Sequence, residues 1–199
     1  MEWPFTLVFP LLAFFSSMLG TRYLVTYLRI HDIVDRPNKR SSHIQPTPRG
    51  GGIAVIGSSL LVWLVIGFSE GVEGVGIITI TGISLILSGI SLIDDLRGLG
   101  TLLRLATHVF AVSAALYFVP FSGPIFGGIF PSAIDYILAG AIWVWFINLF
   151  NFMDGIDGIA SVEAIAISIG TLVIVRKLGF GEQSILLSLS IGAAALGFL

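Results

Sequence analysis

The chain has 199 residues, 55% of them hydrophobic and 11% charged, with a net charge of −2 and no cysteine. Soluble domains carry about 25% charged residues; here the charges are bunched, leaving long stretches with almost none, as several membrane-spanning helices require. Disulfides, thiolate catalysis and cysteine-ligated metals are excluded, and the charge balance gives no basic surface for nucleic acid.

The first apolar run extends from Trp3 nearly to Leu28, broken only by Arg22 near its far end, where a long side chain can snorkel. It follows Met1-Glu2 rather than the basic start of a signal peptide, and reads as a retained helix. Further apolar segments follow at 51–68, 75–93, 104–119, 134–153, 160–178 and 183–199. Most approach the ~20 residues that span a bilayer. The pattern predicts an all-α fold, a polytopic transmembrane helix bundle of about seven spans forming one membrane domain over 1–199. The last segment runs to Leu199 without a flanking loop, which suggests a chain truncated at its C-terminus. Arg29, Arg36, Lys39, Arg40 and Arg49, then Arg97 and Arg104, orient the bundle. They predict cytoplasmic segments at 29–50, 94–104 and 154–159 and an outer N-terminus, with Arg176 and Lys177 on the wrong side of the rule.

Three polar clusters fall on that one predicted face. The first, DRPNKRSSHIQPTPRGGG, runs from Asp35 to Gly52. Pro37, Pro46 and Pro48 rule out a regular helix through much of it. Arg36, Lys39, Arg40, His43 and Arg49 can face a polyanion, and Gly50, Gly51 and Gly52 let backbone N–H groups approach a phosphate at a helix start. An ordinary positive-inside loop with a glycine turn accounts for the same residues. The second is Asp94-Asp95. Adjacent carboxylates at a membrane boundary repel unless a cation or water relieves them. A Mg²⁺ site, a proton-accepting pair, or a solvated helix end paired with Arg97 or Arg104 would each do so. The third, NLFNFMDGIDGIA, places Asn148, Asn151, Asp154 and Asp157 three residues apart. Three successive members fall within a ~120° arc of a helix, and oxygen donors without cysteine or histidine favour a hard cation or polar ligand. A polar helix end with a glycine cap is the plainer alternative. Glu163 lines the same site or packs on a buried partner. His108 reads as a hydrogen-bonded structural residue, and Asp135 as a charge at a helix N-terminus.

In order and spacing the three clusters resemble the polyprenyl-phosphate N-acetylhexosamine-1-phosphate transferases, a superfamily within glycosyltransferase family 4. The stretch FNFMDGIDGIASVEA is most similar to the branch that initiates O-antigen, a part of lipopolysaccharide. The resemblance implies a Mg²⁺-dependent reaction, with Mn²⁺ as a substitute, at the cytoplasmic face of a bacterial inner membrane. An oxygen of undecaprenyl phosphate attacks the sugar-linked phosphate of a UDP-N-acetylhexosamine, and UMP leaves. Carried over residue by residue, Asp94 and Asp95 orient or deprotonate the lipid phosphate or assist the metal. Asn151 lies at the metal–pyrophosphate site, Asp157 holds the uridine, Asp154 supports the site and Arg104 contacts phosphate. Arg49, Gly50, Gly51 and Asn148 complete the substrate-binding set. The family's later glycine–aspartate motif and its sugar-reading loop are missing from this chain, so the 199 residues alone are expected to be inactive and the sugar stays open. A homodimer is in keeping with the family. A transporter or channel would instead place charge near mid-bilayer, where these segments have almost none. A non-catalytic assembly protein would not need the Asn/Asp series.

Overall fold

The computed structural model describes residues 3–32, 34–35, 47–48, 50–69, 74–119, 123–153, 158–179 and 181–199. Helices α1 (Trp3–Ile30), α2 (Gly52–Ser69), α3 (Val75–Arg97), α4 (Thr101–Phe118), α5 (Ser132–Met153), α6 (Ile159–Leu178) and α7 (Glu182–Phe198) follow in order. Six are long and apolar enough to cross a membrane; α7, at 17 residues, is shorter. Large apolar side chains such as Leu85, Phe110, Tyr117 and Trp145 are exposed along them. That inverts the usual soluble arrangement and suits lipid as the solvent, since a helix satisfies its own backbone there. The protein is a polytopic helical membrane protein. Among the described residues the strands are β1 (Val34–Asp35) and β2 (Thr47–Pro48), an antiparallel pair with Val34 opposite Pro48 and Asp35 opposite Thr47. This pair brings the ends of the proline-rich cluster side by side.

The chain forms two compact units, one of residues 1–63 and 154–199, the other of 64–153. In the first, α7 packs on both α1 and α6. Small residues permit it: Gly197 lies against the carbonyl of Phe14, where a Cβ would collide with backbone. Ser188 Oγ donates to the carbonyl of Ser168 at 3.0 Å, and Trp63 Nε1 donates to Ser190 Oγ at 3.0 Å. These bonds satisfy polar groups that lipid could not.

In the second unit α3, α4 and α5 pack in sequence. Three residues, 98–100, join α3 to α4, so the two run antiparallel. α3 continues through Arg97, past the expected end at 93, and both aspartates therefore lie in its last turn. At the other end of the unit Asp135 is fully buried. Its carboxylate accepts the backbone N–H groups of Ile125 at 2.7 Å and Phe126 at 3.1 Å. It is more than a favourable charge at a helix start: it pins the preceding loop to α5.

Candidate active site

The last turn of α3 closes on Gly98, whose φ of 67° is the left-handed conformation that glycine adopts without strain. The N–H of Gly98 donates to the Asp94 carbonyl at 2.7 Å. The chain then turns so that the N–H of Leu99 reaches Asp94 Oδ1 at 2.6 Å. Arg104, in the first turn of α4, donates from Nη1 to Asp94 Oδ2 at 3.3 Å. A carboxylate at a helix C-terminus sits at the wrong end of the helix dipole; two donors, one cationic, offset that here. The Asp94 side chain is 16% exposed and that of Arg104 39%. Of the two partners that the sequence left open for the aspartates, the structure selects Arg104 for Asp94. The neighbouring Asp95 is exposed. Adjacent residues on a helix point about 100° apart, so the two carboxylates divide, Asp94 toward α4 and Asp95 toward the surface.

Asn148 and Asn151 lie near the C-terminal end of α5. The half-buried Asn148 donates from Nδ2 to the Val144 carbonyl at 2.8 Å, which leaves Oδ1 as an acceptor. Asn151 is exposed. Gly140 packs against Leu116, and this contact sets the register of α5 on α4. Two turns on, Asn148 comes level with Leu105, beside Arg104. An open apolar groove of about 1030 Å³ runs along α4 and α5 between these ends. Leu105 and Asn148 line one end and Tyr117 and Tyr136 the other, with Val109, Val112, Ile137 and Val144 between. The second unit thus gathers Asp94, Arg104 and Asn148 at one end of a long apolar trough.

Gly50 and Gly51 belong to the first unit. Gly50 has a φ of 93°, so the turn into α2 itself requires glycine. A Cβ on Gly51 would lie 2.9 Å from the Phe198 ring, so its smallness also serves packing. Arg49, Asp154 and Asp157 lie outside the described residues. Glu163 is half-buried on α6. His108, expected to be a hydrogen-bonded structural residue, is 8% exposed, and its Nδ1 has no partner among the described residues. Its spacing of four from Arg104 was the signal available in the sequence. No group of three or more His, Cys, Asp or Glu side chains forms a metal cluster among the described residues. Mg²⁺, however, often binds through one or two carboxylates plus substrate phosphates. Asp95 and Asn151, both exposed, carry oxygen donors of that chemistry.

Comparison with known proteins places the chain. It is 29% identical over 184 residues to a decaprenyl-phosphate N-acetylglucosaminephosphotransferase of Mycobacterium tuberculosis, covering 82% of this chain and 45% of that protein. The protein of the same name from Mycolicibacterium smegmatis is 31% identical over 188 residues, with the same shares covered. A Bacillus subtilis protein named as a probable undecaprenyl-phosphate N-acetylglucosaminyl 1-phosphate transferase is 29% identical over 177 residues, covering 83% of this chain and 47% of its own length. The chain thus spans a little under half the length of these relatives, and none of their names carries the O-antigen assignment suggested by FNFMDGIDGIASVEA. The family model described as glycosyl transferase family 4 matches residues 77–199, from α3 through α7 and including both aspartates, Arg104 and the Asn/Asp series. The chain belongs to glycosyl transferase family 4.

Proposed function

We propose that this chain acts in the transfer of N-acetylhexosamine-1-phosphate from a UDP-sugar to undecaprenyl phosphate, with release of UMP, at the cytoplasmic face of a bacterial inner membrane. One observation carries the reading: the Asp94–Arg104 pair and Asn148 stand at one end of the apolar α4–α5 groove. A prenyl phosphate has the matching shape, an anionic head on a long apolar tail. Arg104 attracts the head, and Asp94 holds Arg104 in place. Asp95, exposed beside them, orients the phosphate and takes any proton it still carries. The attacking oxygen belongs to the lipid phosphate; the bond broken joins the sugar-linked phosphate to UMP.

The donor side rests on the family resemblance, in which Asp157 holds the uridine and Asp154 supports the site, with Arg49, Gly50, Gly51 and Asn148 in the substrate-binding set. Mg²⁺, when bound, would neutralise pyrophosphate charge; Asp95 and Asn151 are the residues whose oxygens would hold it. N-acetylglucosamine, the sugar in the relatives' names, is the donor sugar we infer. Initiation of an O-antigen is the finer reading, supported by the similarity of FNFMDGIDGIASVEA. The 199 residues by themselves do not suffice for turnover in this reading. The test uses the full-length protein in detergent with undecaprenyl phosphate, Mg²⁺ and a panel of UDP-N-acetylhexosamines. UMP release that needs both lipid phosphate and Mg²⁺, and is fastest with UDP-N-acetylglucosamine, is the expected result. Folded protein that releases no UMP with any donor would overturn the reading.

A further inference from the structure

Helix α4 sets Arg104, His108, Ala111 and Ala115 on one stripe, at i, i+4, i+7 and i+11. The last three are buried. His108 therefore lies one turn, about 6 Å along the axis, inward from the guanidinium that holds Asp94. On α3 the residues inward of Asp94 on its own stripe are Ser91, Ile90, Leu87 and Ile83; Ser91 is exposed, and the other three line an apolar cleft against α4. The three apolar side chains offer the imidazole no hydrogen bond. On α5 the Asn148 amide nitrogen is committed to Val144. The result is a ring nitrogen buried in a membrane helix with no protein partner among the described residues. A buried polar atom left without a hydrogen bond is costly away from water.

The nearest charged groups along its own stripe are those of the pair above it. Arg104 carries five N–H donors, of which one on Nη1 is engaged with Asp94. A buried water needs two to four polar partners, and it can accept from Arg104 while donating to Nδ1. We propose that His108 is a positioning residue for the acceptor phosphate, holding the inner side of the Arg104 guanidinium through one buried water. The inference rests on the transferase reading. It gives that site a floor: Asp94 fixes Arg104 from α3, and His108 fixes it from within α4.

The experiment compares His108→Leu and His108→Asn with wild type in the full-length protein. Leucine keeps the bulk of a buried stripe and removes the nitrogen; asparagine returns a polar atom near the place of Nδ1. His108→Leu is expected to unfold at the wild-type temperature and to lose about tenfold or more in kcat/KM for undecaprenyl phosphate, with KM for the UDP-sugar unchanged. His108→Asn is expected to recover most of that loss. Wild-type kinetics in His108→Leu would overturn the proposal, as would equal losses in the two variants. If wild type itself releases no UMP, the transferase reading has failed instead. The ¹⁵N resonance of His108, identified as the one missing from His108→Leu, then decides: a hydrogen-bonded Nδ1 supports the water bridge, and a bare one refutes it.

Discussion

Asp94 and Asp95 are the same residue type in adjacent positions, and the helix makes them different. Asp94 accepts from Leu99 and Arg104 and is 16% exposed; Asp95, next to it in the same turn, is exposed. Their substitutions should therefore fail differently. Asp95→Asn is expected to leave the full-length protein folded and inserted, with its turnover abolished. Arg104→Met should raise KM for the lipid phosphate and also destabilise the α3–α4 turn, because it strands a half-buried carboxylate. Kinetics with each substrate, set beside thermal unfolding, separate the two outcomes. Asp135 gives a third pattern. It is fully buried and satisfies two loop N–H groups, so Asp135→Ala should cost about 2–4 kcal/mol of stability with little change in KM, read by denaturant unfolding in detergent. Residue identities and spacing made Asp94, Asp95 and Arg104 visible in the sequence. They did not show which aspartate turns inward, because that depends on where α3 ends. Likewise nothing in the sequence revealed that His108 Nδ1 has no partner among the described residues, which depends on how α3, α4 and α5 pack.

The helices were legible to within a few residues, because lipid demands long unbroken apolar runs and the charges mark where they stop. α3 is the exception, and its four extra residues have a cause. The Asp94 carbonyl and carboxylate between them accept the N–H groups of Gly98 and Leu99, drawing three charged residues, Asp94, Asp95 and Arg97, into the last turn. Packing between elements was less legible. IGAAALG announces close approach but not its partner; the structure shows Gly197 against Phe14 of α1. Gly197→Ala should push α7 from α1 and destabilise the first unit by about 1–3 kcal/mol. Hydrogen exchange in α1 and α7 that stays at the wild-type rate would contradict this packing.

Across the whole molecule, the account needs the Asp94 end of α3 and the Asn148 end of α5 to face the cytoplasm, as the basic residues of the 29–50 and 94–104 segments imply. The chain has no cysteine, so single cysteines report topology cleanly. Gly100→Cys, between α3 and α4, should react with an impermeant maleimide only after the membrane is opened. Gly123→Cys, between α4 and α5, should react in intact cells; the reverse pattern would invert the orientation. Photolabelling shows whether the α4–α5 groove receives the prenyl chain of a phosphate held by Arg104. A prenyl phosphate carrying a diazirine on its chain would be irradiated with the full-length protein and the adducts located by mass spectrometry. Adducts are expected on Val109, Val112 and Ile137, removed by excess undecaprenyl phosphate and diminished by Arg104→Met. Adducts confined to α1, α6 or α7, or labelling of the groove that undecaprenyl phosphate does not displace, would contradict this reading.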